Sequence, residues 1–367
     1  MKIVSVGYAR SNDFNAPSAW LEKIGFYTCI LESLAVKHEV NSIEQICYSG
    51  RVLQNGVWYH FIQAGDLISI LPFRLHRYIR KLEPAVVLVN GFITPLQLIQ
   101  LKWMLGRRSR ILVINRAEKP GRGIRRLLQR SADHYIYKYL FTSAEMGMPW
   151  VKEGIIRHES KIAGIIGASS NFVATHKVLA RERTGVHGSP VFLFVGRLDA
   201  NKDPLTILRA FRNYAVEQAA ARLYMIYQAE ELLGEINELI GQDIYLQRSV
   251  VLVGEIAHHA MDQWYSSADF IISGSHYEGS GIAVCEAMSC GCIPILTNIP
   301  SFRAMSGNGN CGFLYEPGDA GALLKILLQT GTRDLQAEKE RTLQQFREEL
   351  SFETIAAKID HIITEGQ

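Results

Sequence analysis

VFLFVGRLDANKDPLTILRAF, residues 191–211, reads as a strand that stops at a glycine, a short polar loop and a helix. Val191 to Val195 holds no polar residue, as expected of a strand buried on both faces of a parallel sheet. Gly196 closes it and delivers Arg197 and Lys202 into the loop, and Asp203 and Pro204 suit the N-cap and first helical position that end the loop. In open α/β sheets the carboxyl ends of the strands are where ligands bind. Arg197 and Lys202 therefore stand where an anion is held, and a guanidinium fork beside a mobile ammonium matches a diphosphate. A salt bridge to Asp199 or Asp203 is the competing reading of the same charges.

Outward from that stretch, short apolar runs alternate with longer amphipathic ones, the pattern of parallel sheets covered by helices on both faces. After it come strands at 222–227, 250–253, 270–273 and 293–296 with helices between them, then a charged helical tail from Asp334. Before it the pattern predicts strands at 2–6, 85–89, 110–114, 135–141 and 161–166. It also predicts helices at 18–36, 67–82 and 96–105, and β-rich stretches around 45–48 and 57–62 with a hairpin turn at Asn55-Gly56. Residues 174–189 lose apolar periodicity and end in Gly-Ser-Pro, which puts the domain boundary there. The expected division is 1–185 for an N-terminal domain, 186–345 for a C-terminal one, and 346–367 for a helix that can return to the first.

With 367 residues, 48% hydrophobic and 20% charged, the chain is long enough for two cores and too apolar for extensive disorder. The six cysteines include no CxxC pair, which argues against zinc and a disulfide framework and for a reducing, cytoplasmic setting. The N-terminus runs directly into a strand-like segment, so no secretion signal is expected, and no apolar run reaches membrane-spanning length. Residues 101–130 carry ten Lys or Arg against one acid, Glu118. Within them, Gly121 to Arg130 groups Ile124, Leu127 and Leu128 on one helical face ringed by Arg122, Arg125, Arg126 and Arg130. A solvated helix packed on a sheet, attraction to an anionic membrane, and nucleic-acid binding compete here; the last lacks any accompanying module.

A second motif is HYEGSGIAVCEAMSCGCIPI, residues 276–295. A strand precedes its glycine turn and a helix starting near Ile282 follows, so free N–H groups and a positive dipole end face the loop. Glu278 lies in the loop and Glu286 about one turn into the helix, two carboxylates suited to accept from vicinal hydroxyls. Glutamate at a helix flank and glycines that merely permit a turn are the alternative. GSGIAV lacks GxGxxG spacing, which disfavours a nicotinamide oxidoreductase. His258 and His259 lack a third ligand at suitable spacing and read as a solvated helix start, with no metal site.

VGRLDANKD, EGSGIAVCEAMSCG and GFLYEPGDAGAL (312–323) together resemble the retaining glycosyltransferases of family 4, also called group 1, over nearly all of the C-terminal half. The resemblance implies an α/β fold of GT-B type, two doubly wound Rossmann-like domains facing each other across a cleft. It implies transfer of a sugar from a nucleotide-diphosphate sugar with no cofactor or catalytic metal, to a glycan or lipid-linked acceptor in surface polysaccharide or glycoconjugate synthesis. Carried over, Arg197 and Lys202 hold the donor diphosphate, Glu278 the transferred sugar and Glu286 the ribose hydroxyls. Gly196 and the backbone of Gly279, Ser280, Gly281 and Ile282 meet the sugar and phosphates. The catalytic set is then Glu278, Arg197 and Lys202.

The N-terminal half departs from that family. Its first loop, GYARSNDFNAPS, has one glycine where members often show two, and no histidine stands at the strand ends VNGFI and INRAEKP. Asn90, Arg116 and Glu118 occupy those exits and are the acceptor-side candidates, with Glu118 equally suited to be a structural partner of Arg116 or Lys119. A nucleotide-sugar epimerase and a catalytically silent nucleotide-binding subunit are the rival readings. The expected location is cytoplasmic, with the basic stretch as a peripheral contact on the inner membrane face.

Overall fold

The computed structural model describes residues 1–63 and 71–365. It divides into two compact units, Met1–Ser169 with Phe352–Gln367, and Ser170–Ser351.

The first unit begins with β1 (Lys2–Gly7), α1 (Pro17–Lys23), α2 (Gly25–Ala35), β2 (Glu39–Glu44), β3 (Gly50–Gln54) and β4 (Val57–Phe61). It continues with α3 (Phe73–Lys81), β5 (Val86–Asn90), α4 (Pro95–Leu105), β6 (Arg110–Ile114), α5 (Gly123–Ala132), β7 (Lys138–Phe141), α6 (Ala144–Lys152) and β8 (Ile162–Gly164). Among the described residues the sheet runs β3-β4-β2-β1-β5-β6-β7-β8, parallel except at β3, which joins β4 antiparallel. Asn55 and Gly56 both take positive φ at that turn, the geometry a two-residue hairpin loop of opposite-handed twist needs. Strand order climbs from β5 to β8 and falls from β1 to β2, so right-handed crossovers put α3 to α6 on one face and α1 and α2 on the other. Packing agrees: Leu75, Ile79, Leu98, Leu101 and Trp150 meet Val87, Val89, Ile111 and Val113 in one core.

The second unit holds α7 (Lys177–Thr184), β9 (Val191–Val195), α8 (Pro204–Glu217), β10 (Arg222–Ile226), α9 (Leu233–Gly241), α10 (Ile244–Ser249), β11 (Val250–Gly254) and α11 (Met261–Ser267). Next come β12 (Phe270–Ser273), α12 (Ile282–Ser289), β13 (Ile293–Thr297), α13 (Pro300–Met305), β14 (Phe313–Tyr315), α14 (Ala320–Thr330) and α15 (Leu335–Gln345). Its sheet is wholly parallel in the order β11-β10-β9-β12-β13-β14. Phe192 stacks on Phe270 and packs edge-on against Phe211 and Tyr214, filling the space between β9, β12 and α8. A π-helical turn, Phe346–Leu350, then leads into α16 (Phe352–Thr364), which packs on α2 in the first unit.

Several expectations shift. The domain boundary does not fall within 174–189 but earlier, between Ser169 and Ser170. The middle of that stretch forms α7, which packs on α11, with Lys177 and Arg181 both paired to Asp269. The single helix expected at 18–36 breaks at Ile24, whose ψ of 10° is not helical, ahead of Gly25, a poor helix former. The strand expected around 45–48 ends instead at Glu44, because Asn41, Ser42 and Glu44 are buried polar residues that apolar patterning does not reveal. Of the helix expected at 67–82, 73–81 is observed and 67–70 lie outside the described residues. No helix among the described residues is long and apolar enough to cross a membrane.

Candidate functional site

The strand order of the second unit reverses direction between β9 and β12. Neighbouring connections leave to opposite faces at such a point, opening a crevice beyond the carboxyl ends of the two strands. The loops that follow β9 and β12 are the two motif loops, 196–203 and 274–281. Asn201 fastens them together. Its carbonyl accepts from His276 N (2.8 Å), its side-chain oxygen accepts from Tyr277 N (3.1 Å), and its amide donates to Tyr277 O (3.0 Å). Gly274 lets the chains approach, since a Cβ there would stand 2.8 Å from Lys202 O. Asp203 caps α8 by accepting from Thr206 N, with Pro204 at the first helical position, so the loop ends where its sequence says.

This stitching brings the charged side chains together. Lys202 Nζ is ion-paired with Glu278, both about one-fifth exposed, and Ser275 Oγ donates to the same carboxylate (3.4 Å). Asp199 accepts from Lys202 N (2.9 Å) and pairs with the largely exposed Arg197 (3.1 Å), the competing partner anticipated for that guanidinium. The stem of Lys202 runs alongside Gly196, within 3.5 Å of where a Cβ there would be.

Glu286 lies deeper and is almost fully buried. One oxygen is 2.7 Å from His258 Nε2 and the other accepts from the Tyr265 hydroxyl at 2.8 Å. Burial, then the adjacent Glu286 charge, holds the Tyr265 hydroxyl far above its ordinary range. The Cys285 thiol is pushed up by burial and then by the charges of Glu286 and Glu278. Gly281 caps α12 with φ of 53°, tight against Met305 and Phe302, and no side chain caps the first turn. Amide donors and the positive dipole end there remain available to an anion, beside Gly279, Ser280 and Ile282. A cavity of about 240 Å³ opens beside Glu286, lined also by Gly196, Arg197, Tyr227, His258 and Tyr265.

Of the four side chains expected to converge, Lys202 and Glu278 are ion-paired, while Arg197, paired with Asp199, and Glu286 line the cavity together; Gly196, beside the Lys202 stem, lines it too. Sequence reasoning missed Asn201, Tyr265 and the role of His258. That histidine does begin a short helical turn and is well exposed, but its ring meets Glu286 and stacks near Phe172. Nothing in its local spacing signals a partner 28 positions away.

In the first unit, Asn90, Arg116 and Glu118 form one network at the carboxyl ends of β5 and β6. Arg116 donates to Asn90 Oδ1 (2.6 Å) and Gly167 O (2.7 Å) and lies over the Tyr27 ring. Burial lowers its guanidinium pKa. Asn90 in turn donates to Ser5 Oγ. Both oxygens of Glu118 accept from backbone, Phe92 N (3.3 Å) and Arg116 N (2.6 Å), which is a loop-bracing arrangement. Glu44, unnoticed in the sequence, is buried nearby with Trp20, Tyr27 and Ser42 donating to it, and burial raises its pKa.

Residues 179–341 match the model of the family described as glycosyl transferases group 1. Over 182 residues the chain is 27% identical to alpha-monoglucosyldiacylglycerol synthase of Streptococcus pneumoniae, covering 49% of this chain and 40% of that protein. It is 27% identical over 155 residues to the UDP-Gal:alpha-D-GlcNAc-diphosphoundecaprenol alpha-1,3-galactosyltransferase of Escherichia coli, covering 42% and 38%. The matches therefore span less than half the length of these curated relatives. The crystal structure of Anabaena Alr3699/HepE in complex with UDP shares the fold at a TM-score of 0.74 and 15% identity, over 99% of this chain and 100% of the other. The two parallel-sheet Rossmann-like units are those of GT-B glycosyltransferases. The segment that carries both motif loops and the cavity-lining residues of the second unit is thus the part of the chain that matches the glycosyl transferases of group 1.

Proposed function

We propose that the chain is a retaining glycosyltransferase of family 4 that moves a sugar from a nucleotide-diphosphate donor to a glycan or lipid-linked acceptor, in surface polysaccharide or glycoconjugate synthesis. The observation that carries this reading is the Lys202–Glu278 pair on two stitched loops at the switch point of the second sheet, next to a cavity lined by Arg197 and by Glu286 of α12. The donor nucleotide occupies the cavity, with its ribose hydroxyls at Glu286 and its diphosphate at Arg197, Lys202 and the first turn of α12. Glu278 accepts from hydroxyls of the transferred sugar.

As the bond from the anomeric carbon to the diphosphate oxygen breaks, negative charge grows on the leaving group. Two cations and a helix N-terminus preorganised toward that charge stabilise it where water does so less well. The acceptor oxygen bonds the same face of the anomeric carbon, and its proton passes to the departing diphosphate, so configuration is retained. No cofactor enters this scheme. The acceptor belongs to the first unit, with Asn90 and Arg116 as its polar contacts and Glu118 bracing the loop that presents them.

The test is transfer by the purified chain. A panel of nucleotide sugars is first screened by thermal shift, since a ligand at a hundred times its dissociation constant adds about 2.7 kcal/mol of stability. The stabilising donor is then incubated with candidate acceptors and the anomeric configuration of the product read by NMR. Conversion of the donor sugar with no acceptor present would indicate an epimerase, and binding without turnover a silent subunit.

A further inference from the structure

We propose that the outer surface of α3, α4 and α5 is a docking face for an anionic phospholipid bilayer. The inference concerns the first unit and stands apart from the donor site.

α5 is amphipathic, yet it is seated with its apolar side outward. Among its ten residues only Gln129 and Ala132 are buried, and Gln129 holds the helix down by donating to Phe92 O and accepting from Gly121 N. Ile124 and Leu127, one turn apart, are 77% and 62% exposed. α5 is thus a solvated helix that rests on the unit through Gln129 and Ala132, with Ile124 and Leu127 turned away from the core. α4 packs between α3 and α5 on the same face of the sheet, and its Trp103 is 80% exposed. Phe73 adds an aromatic ring at the start of α3.

Charge surrounds this apolar ridge. Residues 71–130 carry fourteen Lys or Arg against Glu83 and Glu118, a net +12, while the whole chain carries +3. The remaining residues are thus net −9, so the chain's positive charge is concentrated in this segment, although Arg110, at Ile363 and Tyr137, and the buried Arg116 are engaged elsewhere. Arg126 pairs with Glu153, but among the described residues Arg122, Arg125 and Arg130 make no ion pair. Exposed aliphatic and indole side chains ringed by unpaired guanidinium groups match the acyl-headgroup boundary of an acidic membrane. A nucleic acid backbone would satisfy the charge but offers nothing for Ile124 and Leu127 to enter.

The experiment is co-sedimentation of the full chain with vesicles of phosphatidylcholine alone and of phosphatidylcholine with an equal part of phosphatidylglycerol. Binding is expected to the mixed vesicles only, and to weaken as salt rises. Replacing Arg122, Arg125 and Arg130 by Gln should lower the partition coefficient on the order of a hundredfold. The pair Ile124→Ser and Leu127→Ser should lower it roughly tenfold. Removing three charges from the second unit, at Arg209, Arg248 and Lys325, should leave it unchanged. All these side chains are exposed, and unchanged melting temperatures confirm that each variant folds. Trp103 fluorescence should shift to the blue on mixed vesicles, and Trp103→Phe should abolish that shift. Equal sedimentation with both vesicle types, or full binding by the Ile124/Leu127 variant, would overturn the proposal. So would oligonucleotide binding, or a change of oligomeric state in these variants, without vesicle binding.

Discussion

Lys202, delivered by the loop after β9, is ion-paired with Glu278, delivered by the loop after β12, seventy-six positions further along the chain. On the proposed reading an incoming diphosphate competes with Glu278 for the ammonium, so the pair would position both groups and be remodelled by the donor. Glu278→Gln and Lys202→Gln should each reduce kcat/KM on the order of a hundredfold to a thousandfold. The two should part on nucleotide binding. Lys202→Gln should lose the thermal shift given by a nucleoside diphosphate, whereas Glu278→Gln, which frees the ammonium, should keep or enlarge it. A Lys202 variant that still responds fully would remove the diphosphate from this site.

Asn201 supplies the second test of the same geometry, because its side chain makes two of the three hydrogen bonds by which it holds the other loop. Asn201→Ala touches no charge, yet it should cost about 1–3 kcal/mol of stability through the loss of its two side-chain hydrogen bonds to the Tyr277 backbone. It should also weaken donor binding, readable as a raised KM with a smaller change in kcat.

Much of this site is legible locally and some of it is not, for a physical reason. Val191 to Pro204 names its own strand, loop and helix start, since each boundary is set by residues adjacent in sequence. Gly274 and Asn201 matter only because β9 and β12 are neighbours, and strand order is decided by packing over the whole unit. The same holds for the division of the chain. Residues 174–189 look like a linker because the Lys177 and Arg181 that fasten α7 find Asp269 only in the folded unit. β2 escaped for another reason: beside the buried Val40 and Ile43, its buried residues Asn41, Ser42 and Glu44 are polar and hydrogen-bonded, which breaks the apolar run of a buried strand.

Tyr265 tests the deeper carboxylate. Its hydroxyl donates to one oxygen of Glu286 while His258 meets the other. Tyr265→Phe keeps the ring that packs in the core and removes one hydrogen bond to a charged group, about 1.5–3 kcal/mol. If Glu286 binds the ribose, isothermal titration should show a tenfold or greater loss of affinity for the nucleotide. A ligand lacking both ribose hydroxyls should bind wild type and variant alike. Equal losses for both ligands would make Tyr265 a packing residue only.

His76, on α3, gives the first unit an acid limit. Its ring is fully buried, with Nε2 2.9 Å from the Tyr8 hydroxyl, and burial pushes its pKa down to about 4. In the unfolded chain the imidazole titrates near 6.5, so between these values the unfolded state binds more protons than the folded one. The resulting stability is complete above pH 6.5 and is lost as pH falls toward 4, by about 3 kcal/mol in all. His60, buried with Tyr78 and Asn41, is shifted the same way and steepens the loss. Urea unfolding of His76→Gln should therefore show a shallower decline from pH 7 to pH 5 than the parent chain, even if the variant is less stable at pH 7.

The last prediction concerns α16, which closes the first unit from the far end of the chain. Ile355, Ile359 and Ile363 on this helix are buried, and Asp360 pairs with His38 (2.7 Å) and Lys37 (3.0 Å) just after α2. The His38 contact, and then Lys37, holds the Asp360 carboxyl below its ordinary range, so the contact is charged and directional. Ile359 also lines a small void with Ile30, Leu31 and Leu88. Ile359→Ala enlarges that void and should cost about 2–5 kcal/mol, whereas Asp360→Asn, at a partly exposed pair, should cost roughly 1 kcal/mol. A chain ended after Leu350 should lose far more than either, because the apolar side of α2 that α16 covers would face water. Chemical denaturation of the three forms ranks them, and a truncated chain as stable as the parent would make α16 dispensable to the first unit.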